Sequence, residues 1–247
     1  MHEQSFQTYN QLYYFSSSSV VFHNVIPSTS EVSQVMKFRC AFSAFLIVFT
    51  FVAVSPAEEK WKPLFDGKTL KNWKVTNFGG EGEVTVEKGG IMKLDFGSSL
   101  SGVTYTDKVP TSNYEIELEA KRLDGVDFFC GLTFPVDKQH CSLIVGGWAG
   151  AVVGISSIDG KDASENATTQ FINLKNDQWY HVRLRVTDKG IQVWLDKKQI
   201  INQATKGKKI TVRPEVELSR PLGICTWETK AALRNIRIRT LDKKELK

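Results

Sequence analysis

The sequence predicts an all-β sandwich or barrel assembled from about a dozen short strands. Three observations carry that expectation. Apolar residues recur at period two through much of residues 84–240, and clusters of Gly, Pro, Asn and Asp interrupt them at short intervals. No stretch of this region keeps a helical period beyond two turns. The clearest case is Trp179 to Asp196, WYHVRLRVTDKGIQVWLD. Tyr180, Val182, Leu184 and Val186 alternate with His181, Arg183 and Arg185, and Thr187-Asp188-Lys189-Gly190 supplies a turn. Ile191, Val193 and Leu195 then alternate with Gln192, Trp194 and Asp196. Pairing Val186 with Ile191 sets Leu184 opposite Val193 and Val182 opposite Leu195 on one buried face. The same register sets Arg183 opposite Trp194 and His181 opposite Asp196 on the other face, where a cross-strand ion pair and a cation–π contact are expected.

Taken from its start, the chain of 247 residues is 41% hydrophobic and 24% charged, an ordinary globular balance. Met36 to Ala57 departs from it: Lys37 and Arg39 precede an uncharged apolar run from Ala41 to Val54, and Ser55-Pro56-Ala57 follows. That is the composition of a secretory signal peptide, and the run is short for a transmembrane helix. Residues 1–35 are polar and Ser-rich, and are read as upstream of the true start at Met36. The expected organisation is therefore residues 1–35 outside the fold, 36–57 as signal peptide and 58–247 as one domain. Such a protein is secreted or held in the periplasm or cell envelope, with no stable membrane span after cleavage.

The net charge of +5 is unaffected by that division, since the early segment carries two cations and two anions. Part of the excess lies between Arg234 and Lys247, as expected of solvated strand edges, and nucleic acid is not an expected partner. Cys130, Cys141 and Cys225 remain, an odd number. Cys130 and Cys141 flank a turn near Pro135-Val136-Asp137-Lys138, so a disulfide is allowed, against two small buried thiols.

Along the domain, Val84 to Val86, Ile91 to Leu94 and Val103 to Thr106 are short strands. Asn113 to Arg122 alternates Tyr114, Ile116, Leu118 and Ala120 with Glu115, Glu117 and Glu119. Asp127 to Phe134 and His140 to Val145 are more continuously apolar, as central strands covered on both faces should be. A bend, Gly146-Gly147-Trp148-Ala149-Gly150, precedes a strand at 151–155, and a polar loop runs from Ser156 to Thr169. Phe171 to Leu174, Gln199 to Asn202, Glu215 to Ser219, Leu222 to Thr226 and Leu233 to Thr240 complete the strands.

Two stretches carry a resemblance. PLFDGKTLKNW, Pro63 to Trp73, resembles the entry motif of the 3-keto-disaccharide hydrolase domain family, and LRNIRIRTL, Leu233 to Leu241, resembles its last strand. The hairpin WYHVRLRV…IQVWLDKKQI resembles the wider concanavalin A-like lectin and glucanase superfamily. The resemblance implies a concanavalin A-like jelly-roll sandwich of two antiparallel sheets, one of them concave and carrying a carbohydrate site. It also implies hydrolysis of 3-keto-glycosides. Where the family carries Gln and His before its closing strand, this chain has Trp227 and Glu228.

A ketone at C3 acidifies the C2 hydrogen, so cleavage can run by proton abstraction and elimination, followed by hydration. That needs a base, an acid and donors for the enolate oxygen. Asp127, His140 and Glu228 are the candidate catalytic residues, with His140 able to act as a base near neutral pH. Trp148 and Trp227 are candidate platforms for a sugar ring. Asp159 and Asn166, on the long polar loop, complete the expected substrate contacts. That loop also holds Asp162 and Glu165, oxygen ligands of the kind calcium takes, but without EF-hand spacing, and a solvated rim loop is the favoured reading. Glu115, Glu117 and Glu119 are read as a solvated outer face. No zinc-ligand spacing, nucleotide loop or nucleophile elbow is present, and neither metal nor cofactor is expected. The expected function is an exported, carbohydrate-active hydrolase of 3-keto-glycosides, its partner an oligosaccharide or glycan. The alternative is a glycan-binding or adhesion module, lectin-like and without catalysis, on the same fold.

Overall fold

The computed structural model describes residues 61–246. The expected boundaries at residues 35 and 57 lie outside that range. In chain order the strands are β1 (Lys62–Pro63), β2 (Trp73–Val75), β3 (Val84–Glu87), β4 (Ile91–Leu94) and β5 (Leu100–Tyr105). Next come β6 (Tyr114–Gly125), β7 (Cys130–Val136), β8 (Gln139–Gly146), β9 (Val152–Ser156) and β10 (Gln170–Phe171). The last are β11 (Tyr180–Thr187), β12 (Gly190–Leu195), β13 (Lys198–Ala204), β14 (Gly223–Trp227) and β15 (Thr229–Thr240). They form two antiparallel sheets. One has the order β13-β12-β11-β6-β15-β4-β3, with β1 also on β15, and the other β10-β9-β8-β7-β14-β5-β2. A single apolar core between them draws on both: Val182, Leu184, Val193 and Ile116 from the first, and Leu132, Phe134, Leu143 and Ile155 from the second. Each such side chain contributes about 1.5–3 kcal/mol on burial.

The β11–β12 hairpin has the expected register, with Val186 opposite Ile191, Leu184 opposite Val193 and Arg183 opposite Trp194. The Arg183 guanidinium lies 4.7 Å from the Trp194 ring centre. The expected His181–Asp196 ion pair does not form. Asp196 instead accepts a hydrogen bond from the His181 backbone N–H at 3.0 Å, and the imidazole faces Glu117 at 3.4 Å. Strand β6 sits beside β11 and draws the ring toward its own carboxylate.

The reading of Glu115, Glu117 and Glu119 as a solvated face is also corrected. Strand β6 lies between β11 and β15, so its glutamates face arginines on both sides. Glu115 is fully buried and receives Arg183 at 2.6 Å, Arg185 at 2.5 Å and Arg239 Nε at 2.7 Å. Glu117 pairs with Arg237, and Glu119 takes Arg234 at 2.6 Å and Asn235 at 2.6 Å. Tryptophans cover the cations: Arg234 lies over Trp179, and Arg237 and Arg239 over Trp61. Aromatic cover and paired charge together bury Glu115 and Glu117 on a face that alternation alone assigns to solvent.

The structure decides between the two readings of the cysteines and revises two strand assignments. Cys130 and Cys141 are free buried thiols. Their strands pair so that Cys130 meets Val145 and Cys141 meets Phe134, too far along the ladder for a disulfide. Residues 214–219 form a 3-10 helix, Pro214–Ser219, with Pro214 presetting its first turn, where a strand was expected. Of the stretch 171–174, only Phe171 lies in a strand, at the end of β10.

Candidate functional site

The second sheet explains where a site can form. On its outer face the strands present small side chains: Gly131 and Thr133, Ser142, Gly154 and Ser156, Gly102, and Gly223. Small residues let other segments lie directly on the sheet. A Cβ on Gly154 would stand 2.7 Å from the Ala163 carbonyl, and one on Gly223 would stand 2.6 Å from the Ser219 carbonyl. The crossing 3-10 helix sets Val216 into a second apolar cluster with Leu100, Phe128, Ile144, Val152, Ala163 and Cys225. What these segments leave open is a pocket of about 200 Å³.

Ser142 and Ile144 of β8, Ser156 of β9 and Phe128 line it from the sheet side. Asp127 and Trp148 line it from the β6–β7 and β8–β9 connections, Arg213, Glu215 and Val216 from the crossing segment, and Trp227 from the end of β14. An adjoining pocket shares Glu215 and Trp227.

Trp148 is carried by a backbone that only glycine-rich sequence allows. Gly146 and Gly150 have φ of 83° and 98°, and Trp148 and Ala149 are themselves left-handed at 49° and 60°. The buried Arg122 side chain holds this bend, donating to the carbonyls of Gly146 at 3.4 Å and Gly150 at 3.0 Å, with Asn176 at 3.2 Å and the Phe129 ring beneath it. Burial lowers the Arg122 pKa, and the nearby Asp127 carboxylate opposes that. Asp127 secures the bend from the pocket side: Oδ2 accepts from Ala149 N–H at 3.3 Å and Oδ1 from Phe128 N–H at 2.7 Å. Gly146→Ala would place a methyl 2.6 Å from the Arg122 guanidinium at a positive φ. We expect it to cost about 1–3 kcal/mol, measurable as a lowered Tm, and to displace Trp148.

Arg213 is the cationic centre. Its guanidinium donates to Glu215 at 2.8 and 3.3 Å and to Asp162 at 2.9 Å. Donating hydrogen bonds to Glu215 raises the Arg213 pKa, and accepting them holds Glu215 below the ordinary carboxylate range. Asp162 also caps Ser164, through both its N–H and hydroxyl, so the long polar loop and the crossing segment are tied at one arginine.

Of the expected site residues, the fold brings Asp127, Trp148 and Trp227 to this pocket. It does not bring the three candidate catalytic groups together. His140 stands earlier on β8 opposite Pro135, beside the Glu217–Arg220 pair and outside the pocket lining. Its pKa is lowered, first by burial and then by the Arg220 charge. Glu228 is exposed at φ 41° where β14 turns into β15, its N–H bonded to the Ser99 carbonyl at 2.8 Å. Asp159 pairs with Lys208 at 2.8 Å. Asn166 spends its amide on backbone carbonyls, those of Ile155 on β9 at 2.7 Å and of Asp162 in its own loop at 2.6 Å. The loop is thus an internally bonded cover with Ala163 and Thr168 buried, where a solvated rim was expected. Among the described residues no cluster of His, Cys, Asp and Glu is arranged to hold a metal.

Arg213 and Glu215 are absent from the sequence-based candidates. The signal was there in part: Arg213-Pro214-Glu215 places a proline at a turn start between two opposite charges. Reading 215–219 as a strand hid it.

The model of a family described as the 3-keto-alpha-glucoside-1,2-lyase-like domain matches residues 60–239. The chain belongs to this family. A comparison with curated proteins found no match. Among solved structures, the lyase-like domain is similar to an apo Crh5 transglycosylase, at 12% identity over 75% of this chain and 85% of that one, with a TM-score of 0.52. The same transglycosylase in complex with NAG aligns at 12% identity over the same shares, with a TM-score of 0.51. The carbohydrate binding module CBM66 from Bacillus subtilis aligns at 15% identity over 68% of this chain and 96% of that one, with a TM-score of 0.46. The transglycosylase likeness shows the fold: the two-sheet sandwich of the lyase-like domain is concanavalin A-like.

Proposed function

We propose that this domain cleaves 3-keto-glycosides by elimination across C1 and C2, with water addition completing a net hydrolysis. One observation carries the reading: Asp127 and Arg213 line a single pocket with two tryptophans, in a member of a family described as lyase-like. Trp148, which keeps 41% of its surface exposed, offers an open ring face for the sugar. Asp127 takes the C2 proton, and the C–H electron pair moves into the C2–C3 bond. The resulting enolate oxygen at C3 is neutralised by the Arg213 guanidinium. The carbonyl then re-forms as the C1–O bond breaks, leaving a C1=C2 double bond, and the departing oxygen takes a proton from water. Glu215 orients Arg213 and is a positioning residue. The base is assigned to Asp127 because Glu215 is already held by that arginine, whereas Asp127 accepts only two backbone N–H bonds.

Incubation of the chain from Glu58 with a 3-keto-disaccharide tests this. The expected result is release of the second sugar, ultraviolet absorbance from the conjugated enone, and deuterium entry at C2 in heavy water. No release at high enzyme concentration would sink it. The composition of residues 36–57 supports placing this activity outside the cytoplasm. Fusing residues 36–57 to a reporter and finding it retained inside cells would count against that placement.

A binding module is the second reading, favoured by the fact that both pocket carboxylates already have partners. Measurable glycan affinity without turnover would decide for it. Under either reading Trp148→Ala and Trp227→Ala should each weaken glycan binding by roughly tenfold, the scale of one lost stacking contact. Titration calorimetry with both variants checks this.

A further inference from the structure

Six large apolar side chains are exposed among the described residues, and three of them, Val126, Trp148 and Phe171, gather at one end of the second sheet. None of the three belongs to or packs against either apolar cluster. Three backbone contacts bring them together. The Val126 carbonyl lies 3.0 Å from where a Cβ on Gly150 would stand. Asp127 accepts from the Ala149 N–H at 3.3 Å, and the Ile172 N–H donates to the Ala151 carbonyl at 2.9 Å. The chain at Val126 and the chain at Phe171 are thus both tied to the bend that carries Trp148. Phe171 is the most exposed of the six, at 78%.

The register fixes which way Phe171 points. On β9, Val153 lies in the core between the sheets and Val152 in the outer cluster. Phe171 pairs with Val152, and its neighbour Ile172 packs against the inner core. Antiparallel partners share a face, so Phe171 stands on the outer face, where the pocket is. Val152 is bridged in turn to Gly147. Gly147, Val152 and Phe171 form one line across the sheet, two strand spacings or about 10 Å long. Trp148, which lines the pocket, follows Gly147 directly. The long loop crosses further along β9, over Gly154. Two exposed aromatic rings therefore share one sheet face, one at the pocket rim and one beyond it at the sheet edge.

We propose that Phe171 is an outer platform for the same glycan, so that the ligand is a chain longer than the pocket holds, with one sugar ring stacked outside it on Phe171. This rests on the glycan-binding part of the proposed function and not on the elimination step. A pyranose lays its C–H face on an aromatic ring and keeps its hydroxyls in water, so a single exposed ring serves it. A docked protein would need a much larger contiguous surface than these three side chains supply.

Calorimetry tests this with glucose, the series from cellobiose to cellopentaose and the series from maltose to maltopentaose. The proteins compared are the native chain, Phe171→Ala and Phe171→Trp. In at least one series, native affinity should rise roughly fivefold on adding one particular unit, the scale of a single stacking contact. Phe171→Ala should abolish that rise and leave the shorter members bound as before, and Phe171→Trp should restore it. Because Phe171 is largely exposed and outside both apolar clusters, Phe171→Ala should melt as the native protein does. Affinity independent of length, a rise that survives in Phe171→Ala, or no binding in either series overturns the platform. Equal weakening of every member in Phe171→Ala also overturns it, since Phe171 would then be supporting the pocket itself. So does a self-association, seen by light scattering, that Phe171→Ala removes. Assay of a 3-keto-disaccharide keeps the two readings apart. Turnover without the length effect leaves the elimination reading standing, and the length effect without turnover leaves the platform standing on a binding module.

Discussion

Asp127→Asn is expected to lower kcat on a 3-keto-glycoside by about 10²–10⁴-fold, the range that a positioned general base contributes. The amide keeps one oxygen that can accept a backbone N–H, so the bend carrying Trp148 loses at most one of its supports. Glycan affinity should therefore change by only a few-fold while turnover collapses. Arg213→Lys supplies the companion measurement. It keeps the positive charge but loses the planar fork that grips Glu215 and Asp162 together, and should depress kcat less than Asp127→Asn does. If Asp127→Asn retains native kcat, the base lies elsewhere.

Glu115→Gln should be the most destabilising single substitution in the first sheet, by about 3–5 kcal/mol, the cost of leaving buried charges without their counterpart. Three guanidiniums, from Arg183, Arg185 and Arg239, converge on this one carboxylate, and Glu245 is the other acid near them. The pH dependence follows from the same geometry. Burial pushes the Glu115 pKa up, but the arginine hydrogen bonds and charges outweigh it and hold the carboxyl below its ordinary 4.5. A group with a depressed folded pKa contributes its full stability above the unfolded value and loses it as pH falls through the folded one. Glu119, Glu215 and Glu245 are depressed by arginines in the same way. Denaturant melts of the native protein should therefore show stability level near neutral pH and falling below about pH 4.5, where unfolded glutamates begin to take up protons. In Glu115→Gln that fall should be visibly shallower. A variant as stable as the native chain would mean that the glutamate serves only to offset its own desolvation.

The sheets were readable from alternation because a strand buried on one face must place apolar residues at every second position. The β11–β12 register followed from the turn and the pattern alone, since any one-residue slip would have turned Val182, Leu184 and Val193 outward. The resemblance of Pro63–Trp73 and Leu233–Leu241 brought the family with it. The same alternation misled at β6. A glutamate between two apolar residues reads as solvent-facing, and nothing local says that strands more than 60 positions away will bring arginines to both sides of Glu115. His181 shows the same effect on a smaller scale, pairing with Glu117 of a neighbouring strand in place of its hairpin partner.

The site divides along the same line. Trp148 in its glycine-rich bend, Trp227 before the closing strand, and Asp127 ahead of β7 each stand out locally by composition. Their meeting in one pocket, the exclusion of His140 and Glu228 from it, and the entry of Arg213 and Glu215 depend on a 3-10 helix crossing the outer face of the second sheet. By itself the sequence determined the fold class, the family and the hairpin register, because periodicity and short motifs are local properties. Which charges are buried, and which residues face a common pocket, was decided by tertiary structure. Those are outcomes of strand order and of segments packing across a sheet, and no spacing along the chain records them.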